Sequence, residues 1–371
     1  MDRLSFAEIN LANFAYNFRS LKKLIGKSTS IMAVVKANAY GHGAIPIAKK
    51  ALQLGAKYIG VVCLYEAKEL RQAGIKAPIL IMNYSDEETA VEAAKHDITL
   101  NIMDEKVLKA VDKASRGMKK RTKIHVKIDT GMRRGGIYPE EALKFIGRIE
   151  NYKNVFLEGI FTHFAASDEM DLTFTHEQLA SFNKLLKLLK DKNINPPLIH
   201  TANSGASLRL SSGYFNLVRP GIIMYGLAPS RDFRMPVKLK PVMTLKSKIV
   251  QIKLLQKGDT VGYGRTFQAK RKMMMGLLPI GYGDGYPRAL SNKFHILVKG
   301  KKASLLGRVS MDQTAVDLSR IKNVKVGDEV VLIGRQGKET ILAGDIAKIC
   351  STINYEIVVG IAPRIPRVYV H

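Results

Sequence analysis

The first 226 residues repeat one pattern, and this repeat limits the folds that the chain can adopt. Short β-branched runs alternate with stretches of helical periodicity such as residues 64–74 and 176–192. The runs lie at residues 30–36, 58–62, 78–82, 98–102, 123–128, 156–163, 198–202 and 216–222. Strands that alternate with helices predict parallel βαβ units, and eight of them favour a (β/α)8 barrel over an open sheet.

The region after residue 230 has a different texture. Pro236 and Pro241 mark the change, and short strand-like runs separated by glycines follow. Only residues 343–353 show a clear helical pattern. We therefore expect an α/β chain of two domains, a (β/α)8 barrel over residues 1–230 and a mostly β domain over residues 231–371. The first strand is not followed by a GxGxxG motif, which disfavours a dinucleotide-binding fold.

Composition excludes several classes of protein. Hydrophobic residues make up 46% of the chain, which suits a large core and not a disordered chain. No apolar run reaches the length of a membrane span, and the N-terminus lacks the features of a secretory signal. The two cysteines, Cys63 and Cys350, cannot form a disulfide framework. They favour a reducing, cytoplasmic compartment.

The strongly basic charge requires a separate interpretation. The formal net charge is +27, which would suit a protein that neutralises nucleic-acid phosphates. However, the basic runs at residues 119–121 and 270–272 are short and contain no interleaved aromatic residues. We interpret the charge as a solvated basic surface and expect that nucleic acid is not the primary partner.

The predicted strand ends carry the side chains that are suited to catalysis. In a barrel of this kind, the active site forms at the C-terminal ends of the strands. Lys36 follows the first strand, where burial would lower the pKa of its amine and make it a nucleophile able to form a Schiff base. A solvated strand-end lysine is the alternative. Further polar side chains follow strands five to eight, namely Lys127, Asp129, Arg134, His163, His200, Asn203, Ser204 and Arg219.

Two loops of the predicted barrel indicate a cofactor. The segments NSGAS and RPGI follow the seventh and eighth strands, where barrels commonly bind phosphate. A lysine nucleophile beside a phosphate site indicates pyridoxal 5'-phosphate. Taken singly, His163 is typical of a buried barrel histidine, and Asn203-Ser204 is typical of a helix N-cap. The prediction therefore depends on the whole set, and it includes no metal site.

Eight segments of the chain resemble the alanine racemase family, in the same order and at matching separations. They are AVVKANAYGHG, KIDTGMRR, HTANS, VRPGIIMYG, VGYGRTF, PIGYGDGYPR, GRVSMDQT and TINYE. The resemblance covers essentially the whole chain. It implies a pyridoxal-phosphate enzyme that interconverts L- and D-alanine and supplies D-alanine for peptidoglycan. It also implies a cytoplasmic homodimer whose active sites contain residues of both subunits.

The resemblance further implies a role for each site residue. Lys36 would bind the cofactor and exchange a proton on one face, and Tyr263 of the other subunit would do so on the opposite face, because racemisation requires both faces. Arg219 would face the pyridine nitrogen and, with His163, support Tyr263. Other cofactor contacts would come from Tyr40, Asn203, Ser204, Gly221, Ile222 and Tyr355. Substrate contacts would come from Arg134, Met311, Tyr282 and Asp312, and Lys127 would be a site of carbamylation.

Two segments depart from the family pattern. Residues 131–134 read GMRR where the family commonly reads GMGR, so Arg133 adds a second cation beside Arg134. Near the C-terminus, GIAPRIPRVY replaces a pattern that usually contains tyrosine.

Three related functions remain as alternatives. A pyridoxal-phosphate decarboxylase would use the same lysine but would give Tyr263 no purpose, and its glycine-triplet phosphate loop is absent. A broad-specificity amino-acid racemase would typically be exported. A non-enzymatic pyridoxal-phosphate carrier would resemble the barrel alone, whereas this chain continues through residues 231–371.

Overall fold

The computed structural model describes residues 3–371 and divides into two compact units. The first unit contains Ala15–Ala39 and Ala44–Leu239. The second contains Lys240–His371, the short segment Tyr40–Gly43 and the N-terminal segment that ends at Phe14. No helix within residues 3–371 is long and apolar enough to cross a membrane.

Strands and helices alternate along the first unit, and strands predominate in the second. The strands are β1 (Phe6–Asn10), β2 (Ser30–Val34), β3 (Tyr58–Val61), β4 (Ile79–Ile81), β5 (Thr99–Ile102), β6 (Thr122–Lys127), β7 (Val155–Phe161), β8 (Leu198–His200), β9 (Leu217–Val218), β10 (Met243–Lys248), β11 (Gln251–Leu255), β12 (Thr260–Val261), β13 (Phe267–Gln268), β14 (Met273–Leu278), β15 (His295–Val298), β16 (Lys301–Ser304), β17 (Thr314–Asp317), β18 (Glu329–Gln336), β19 (Glu339–Ile341) and β20 (Arg367–Val370). The right-handed α-helices are α1 (Leu11–Ile25), α2 (Ala44–Gln53), α3 (Leu64–Gln72), α4 (Glu87–Lys95), α5 (Glu105–Gly117), α6 (Pro139–Ile149), α7 (Thr173–Asp191), α8 (Ser204–Arg209), α9 (Ala343–Ile349) and α10 (Asn354–Val359).

An eight-stranded parallel sheet forms the centre of the first unit. Its strand order is β8-β7-β6-β5-β4-β3-β2-β9, so consecutive strands are neighbours from β2 to β8, and β9 pairs with β2. Beyond the last residues of β8 and β9, the backbone N–H of Arg219 donates to the carbonyl of Ala202 at 2.9 Å. The sheet is therefore a nearly closed (β/α)8 barrel, and the eight predicted strands are confirmed.

The last barrel strand is shorter than its sequence run. The prediction spans residues 216–222, but β9 contains only Leu217 and Val218. Pro220 has no backbone N–H and cannot donate to a sheet ladder, so the strand ends before it. The chain then enters a single 3-10 turn at Ile222–Tyr225.

Capping side chains begin two of the barrel helices. A carboxylate oxygen of Asp86 accepts the backbone N–H of Thr89 at 2.7 Å, and Asp104 does the same for Val107 at 3.0 Å. Such caps satisfy N–H groups that have no partner inside a helix. Each helix then buries one face, which for α5 includes Val107, Leu108 and Val111.

Antiparallel sheets dominate the second unit. The largest has the order β16-β15-β18-β10-β1-β20, with β19 paired to β18, and a smaller sheet has the order β11-β14-β17. Strand β1 from the N-terminus pairs with β10 in antiparallel and with β20 in parallel orientation. The expectation of a mostly β region after residue 230 is confirmed, and α9 and α10 are the helices within it.

Candidate active site

Lys36 lies just beyond the C-terminal end of β2, where hydrogen bonds to both neighbouring segments of the barrel hold the backbone. The N–H of Val34 donates to the carbonyl of Pro220 at 3.1 Å, and the N–H of Val35 donates to the carbonyl of Gly60 at 2.9 Å. Burial lowers the pKa of the Lys36 amine, the cation of Arg134 lowers it further, and Glu66 opposes both effects. The structure therefore gives Lys36 the desolvated environment of a nucleophilic lysine.

A left-handed turn follows Lys36 directly. Ala37, Asn38, Ala39 and Tyr40 all have φ between 51° and 53°, a backbone conformation that side chains with a Cβ rarely adopt. Glu66 Oε1 accepts the N–H of Ala37 at 2.6 Å, and Asn38 Oδ1 accepts the N–H of Ala44 at 2.8 Å. These two side chains compensate for part of the cost of a turn that the sequence alone does not predict.

Arg219 is a buried cation, 4% exposed, in the middle of the strand ends. Its Nη1 donates to His200 Nδ1 at 2.8 Å and to the His200 carbonyl at 2.9 Å. Its Nη2 donates to the carbonyls of Thr162 at 2.7 Å and Thr201 at 3.0 Å. Burial lowers the pKa of Arg219 to about 9, which leaves the side chain charged at neutral pH.

His163 lies next to this guanidinium. Arg219 Nη2 is 3.3 Å from His163 Nδ1, and because a guanidinium only donates, the histidine nitrogen is the acceptor. Burial and the cations of Arg219 and Arg134 lower the pKa of His163 well below its usual value. His163 is therefore neutral at physiological pH.

Two further side chains extend inward from His200. His200 Nε2 is 2.8 Å from His125 Nδ1, and His125 Nε2 is 3.3 Å from Glu158 Oε2. Both histidines are fully buried, and Glu158 is 8% exposed. Sequence reasoning did not select His125 or Glu158. The available signal was a histidine and a glutamate that interrupt the apolar runs of β6 and β7.

Lys127 and Asp129 occupy the end of β6 and the loop after it. Burial and the cations of Arg134 and Arg219 lower the pKa of Lys127 to about 8. Burial opposes ionisation of Asp129, but its carboxylate accepts the N–H groups of Arg133 and Gly131 at 3.0 Å, and the net effect is a lowered pKa. Lys127 thus retains a substantial neutral fraction near pH 8.

The structure distinguishes Arg134 from its neighbour Arg133. The guanidinium of Arg133 lies over the ring of Tyr138, 4.8 Å from its centroid. Arg134 instead contributes to lowering the pKa values of Lys36, Lys127 and His163. Arg134 is therefore the cation that faces the strand-end cluster.

Ser204 and Gly221 approach each other from the loops after β8 and β9. Ser204 Oγ accepts the N–H of Gly221 at 2.9 Å, and Ile222 begins the 3-10 turn beside it. Asn203 caps α8, since its Oδ1 accepts the N–H of Ala206 at 3.1 Å and the hydroxyl of Ser167 at 2.6 Å. The structure thus gives Asn203 the N-cap role that its position also indicated.

The second unit holds the remaining predicted site residues. Tyr263 lies in a 3-10 turn and is 71% exposed. Tyr282 and Met311 are also exposed, and the Met311 carbonyl accepts the N–H of Gly283 at 2.8 Å. The rings of Tyr40 and Tyr355 are 6.1 Å apart between their centroids.

An arginine that the sequence analysis did not select connects two acidic residues here. Arg364 Nε lies 2.8 Å from Asp284 Oδ1, and its Nη2 lies 2.7 Å from Asp312 Oδ1. Asp284 is fully buried and also accepts the N–H of Gly281 at 3.0 Å. Arg364 therefore connects the turn that carries Tyr282 with the loop that carries Asp312.

Among residues 3–371, no group of three or more His, Cys, Asp or Glu side chains could hold a metal ion. The strand-end cluster is instead dominated by cations and neutral histidines, which suits an anionic ligand.

Family models match both parts of the chain. The model described as "Alanine racemase, N-terminal domain" matches residues 9–229, and the model described as "Alanine racemase, C-terminal domain" matches residues 242–369. Among curated relatives, the alanine racemase of Halothermothrix orenii is 42% identical over 367 residues, which cover 99% of this chain and 97% of the relative. The protein named alanine racemase 2 of Caldanaerobacter subterraneus subsp. tengcongensis is 44% identical over 365 residues, covering 98% and 94%.

Solved structures are also similar over the full length. The alanine racemase from Bacillus anthracis, solved with bound L-Ala-P, gives a TM-score of 0.95 at 39% identity and covers 100% of this chain and 96% of the other. The histidine racemase from Leuconostoc mesenteroides gives a TM-score of 0.92 at 31% identity, with 100% and 99% covered. Similarity of this kind therefore includes racemases of two substrates.

Proposed function

The chain belongs to the alanine racemase family, and on that premise we propose that it interconverts L- and D-alanine with pyridoxal 5'-phosphate at the barrel strand ends. The observation that carries the proposal is Lys36, whose amine is desolvated among the cations that an anionic cofactor and substrate require. Supply of D-alanine for peptidoglycan in the cytoplasm is the role we assign to the reaction. The two cysteines, which are both free, accord with a reducing compartment.

The residues of the barrel fit this cofactor. Lys36 would supply the amine for its aldehyde. Ser204 and the backbone of Gly221 and Ile222, which lie together where Ser204 Oγ accepts the N–H of Gly221, would hold its phosphate. Arg219 supplies a buried cation for its ring nitrogen. We assign Tyr40 and Tyr355 to the phosphate as well, as the family resemblance implies. Asn203 would act by holding the loop of Ser204 in place.

Arg219 would determine how strongly the bound cofactor withdraws electrons from the amino acid. When bound, pyridoxal phosphate withdraws electrons and makes the Cα–H of the amino acid acidic. A guanidinium donates hydrogen bonds and does not accept them, so Arg219 would keep a ring nitrogen held against it unprotonated. Electron withdrawal into the ring would thereby be limited, and we expect few side reactions such as transamination.

Two bases on opposite faces perform the inversion in this proposal. The Lys36 amine removes or returns the Cα proton on one face, and its lowered pKa suits it to exchange protons near neutral pH. The phenol of Tyr263 does so on the other face. Tyr263 is 71% exposed in the chain, which accords with donation to the partner subunit of a homodimer. His163, neutral beside Arg219, would support the tyrosine.

Substrate recognition requires a cation for the carboxylate. We assign this role to Arg134, because Arg133 is engaged with Tyr138. The backbone of Met311 would be a second carboxylate contact, and Tyr282 and Asp312 would line the entrance. Lys127, once carbamylated, would carry a negative charge that orients Arg134.

Mixed subunits test the shared site. Lys36→Ala and Tyr263→Phe chains are each expected to be inactive alone, and mixing them should restore one intact site per dimer. Chiral analysis of alanine measures the recovery. If Tyr263→Phe alone racemised L-alanine at the wild-type rate, the two-base assignment would be wrong. If both variants were inactive alone and mixing them restored no activity, the shared site would be excluded.

A substrate panel tests the specificity. L-alanine, L-serine, L-lysine and L-histidine should be compared by kcat/KM, because similar racemases include one named for histidine. We expect alanine to be preferred. Faster exchange of another amino acid would overturn the alanine assignment, and release of CO2 would favour a decarboxylase instead.

A further inference from the structure

A chain of buried hydrogen bonds crosses the barrel interior from Arg219 to Glu158. It passes from Arg219 Nη1 to His200 at 2.8 Å, from His200 to His125 at 2.8 Å, and from His125 to Glu158 at 3.3 Å. This series of hydrogen bonds begins at the C-terminal ends of the strands and leads toward the opposite end of the barrel. There, Glu158 also pairs with the half-exposed Lys123 at 2.8 Å.

The two ends of this chain fix its direction. Arg219 can only donate, so His200 Nδ1 must accept and His200 Nε2 must carry the proton. His125 Nδ1 then accepts from His200, and His125 Nε2 carries a proton toward Glu158. An ionised carboxylate can only accept, so the far end requires the same direction. Every donor therefore points from Arg219 toward Glu158.

Glu158 is well suited to anchor the far end. Burial opposes its ionisation, but hydrogen bonds from His125, Lys123 and Tyr58 together lower its pKa to about 2. The Tyr58 hydroxyl donates to Glu158 at 2.6 Å. Three donors thus converge on a carboxylate that is ionised at all physiological pH values.

Arg219 has no direct counterion among the residues that the structure describes. Within residues 3–371, no carboxylate lies within ion-pair distance of its guanidinium, and its η nitrogens donate to carbonyls and histidines instead. A buried unpaired charge is costly unless neighbouring dipoles are held in orientation. This series of hydrogen bonds links Arg219 to the carboxylate of Glu158, two histidines away.

We propose that Glu158 and His125 are positioning residues for Arg219. They fix His200 as the neutral form whose Nδ1 accepts, and they polarise it toward the buried guanidinium. The orientation of Arg219 then depends on a carboxylate that touches neither cofactor nor substrate. The consequence for the reaction rests on the function proposed above, in which Arg219 faces the cofactor ring.

Nitrogen-15 NMR of the full-length protein tests the network without activity. Ring nitrogen shifts separate protonated from unprotonated nitrogens, and His125→Gln and His200→Gln variants assign the signals. We expect both histidines to be neutral and protonated at Nε2, with and without cofactor, from pH 6 to 8. A charged ring or a proton at Nδ1 of either histidine would overturn the inference.

Glu158→Gln tests the functional consequence, with Glu92→Gln as a matched control. Glu92 also accepts from a histidine and two lysines, but on the surface of α4. Glu158→Gln removes the anionic acceptor but leaves Arg219 in place, so we expect both histidines to keep their tautomer while their hydrogen bonds weaken and their ring-nitrogen shifts move. We also expect an abortive transamination frequency per turnover about 10-fold higher, the scale on which loss of a partner behind a metal-ligating histidine acts. Glu92→Gln should match wild type in both measurements.

Two outcomes separate this inference from the proposed function. If wild type fails to racemise alanine while the nitrogen signals are as expected, the proposed function is wrong and the network stands. If wild type is active and Glu158→Gln changes neither the ring-nitrogen shifts nor transamination, the network has no positioning role. Should Glu158→Gln not fold, Tyr58→Phe removes one donor from Glu158 and is expected to shift the same two measurements in the same direction. No shift in either would overturn the inference.

Discussion

Glu66 Oε1 accepts the backbone N–H of Ala37 at 2.6 Å, directly after the lysine that the site is built around. The other oxygen, Oε2, accepts the N–H of Val62 at 2.8 Å. One carboxylate thus joins the chain after β2 to the chain after β3. Because Ala37 begins the left-handed turn, Glu66 stabilises the conformation that presents Lys36.

Replacement of Glu66 by glutamine should disturb this turn. An amide has one acceptor oxygen, so one of the two backbone N–H groups would lose its partner, at a cost of about 0.5–1.5 kcal/mol because neither group is fully buried. We expect a lower free energy of unfolding and weaker binding of pyridoxal phosphate. Denaturant titration and spectroscopic titration with the cofactor measure the two effects.

The same variant has a second, independent effect. Glu66 raises the pKa of Lys36, so its neutralisation should lower that pKa further. The pH dependence of cofactor attachment should shift to lower pH. Glu69→Gln, on the same helix, is the control and should match wild type. An unchanged pH profile in Glu66→Gln would contradict the electrostatic role.

Lys127 provides a test of carbamylation. Only a neutral amine adds CO2, and a pKa of about 8 leaves a sizeable neutral fraction at mildly alkaline pH. With 13C-labelled bicarbonate, we expect a carbamate resonance that grows from pH 7 to pH 8.5 and is absent in Lys127→Ala. That variant should also have a raised KM for alanine, since Arg134 loses its anionic neighbour.

Lys144→Ala removes an exposed lysine and serves as the control, in which the carbamate resonance should remain. If the resonance remained in Lys127→Ala, carbamylation of Lys127 would be excluded.

The sequence was sufficient to predict the barrel because its signals are local. Each strand is a short apolar run and each helix an amphipathic one, so the period is visible without tertiary information. The placement of β1 could not be predicted in this way. Phe6–Asn10 pairs with Arg367–Val370 at the opposite end of the chain, and such pairing leaves no periodic signal.

The candidate site was predictable to a similar extent. Lys36 and His163 end strand-like runs and Arg219 lies within one, and the barrel architecture alone brings strand ends together. Glu66, His125 and Glu158 act through other side chains, and nothing in their spacing indicates a partner. Their roles became visible only when distances between side chains were known.

Acid should destabilise the folded protein through its buried histidines. Burial lowers the pKa values of His125, His163 and His200 below the ordinary value of 6.5. Below pH 6.5 the unfolded chain therefore binds protons that the folded chain does not. Stability should be fully present above pH 6.5 and fall by about 1.4 kcal/mol per pH unit for each such histidine as the pH decreases.

Denaturant titrations of the cofactor-free protein at pH 7.5 and pH 5.5 measure this loss in a range where the carboxylates remain ionised. Replacement of the exposed His176 by glutamine should leave the difference unchanged. A free energy of unfolding that is constant over this range would show that the buried histidines accept protons in the folded state.

Arg364→Lys should separate substrate entry from chemistry. Lysine offers a single ammonium, which cannot reach Asp284 and Asp312 together as the guanidinium does at 2.8 and 2.7 Å. Asp284 keeps its pairing with Arg3 at 2.8 Å, so the fold should persist while the loop of Asp312 loosens. We expect KM for alanine to rise by about 10-fold, or about 1.4 kcal/mol, with kcat changed much less.

Steady-state kinetics measure the two constants, and Arg335→Lys, a surface change on β18, is the control. A fall in kcat with KM unchanged would instead assign Arg364 to the chemical step.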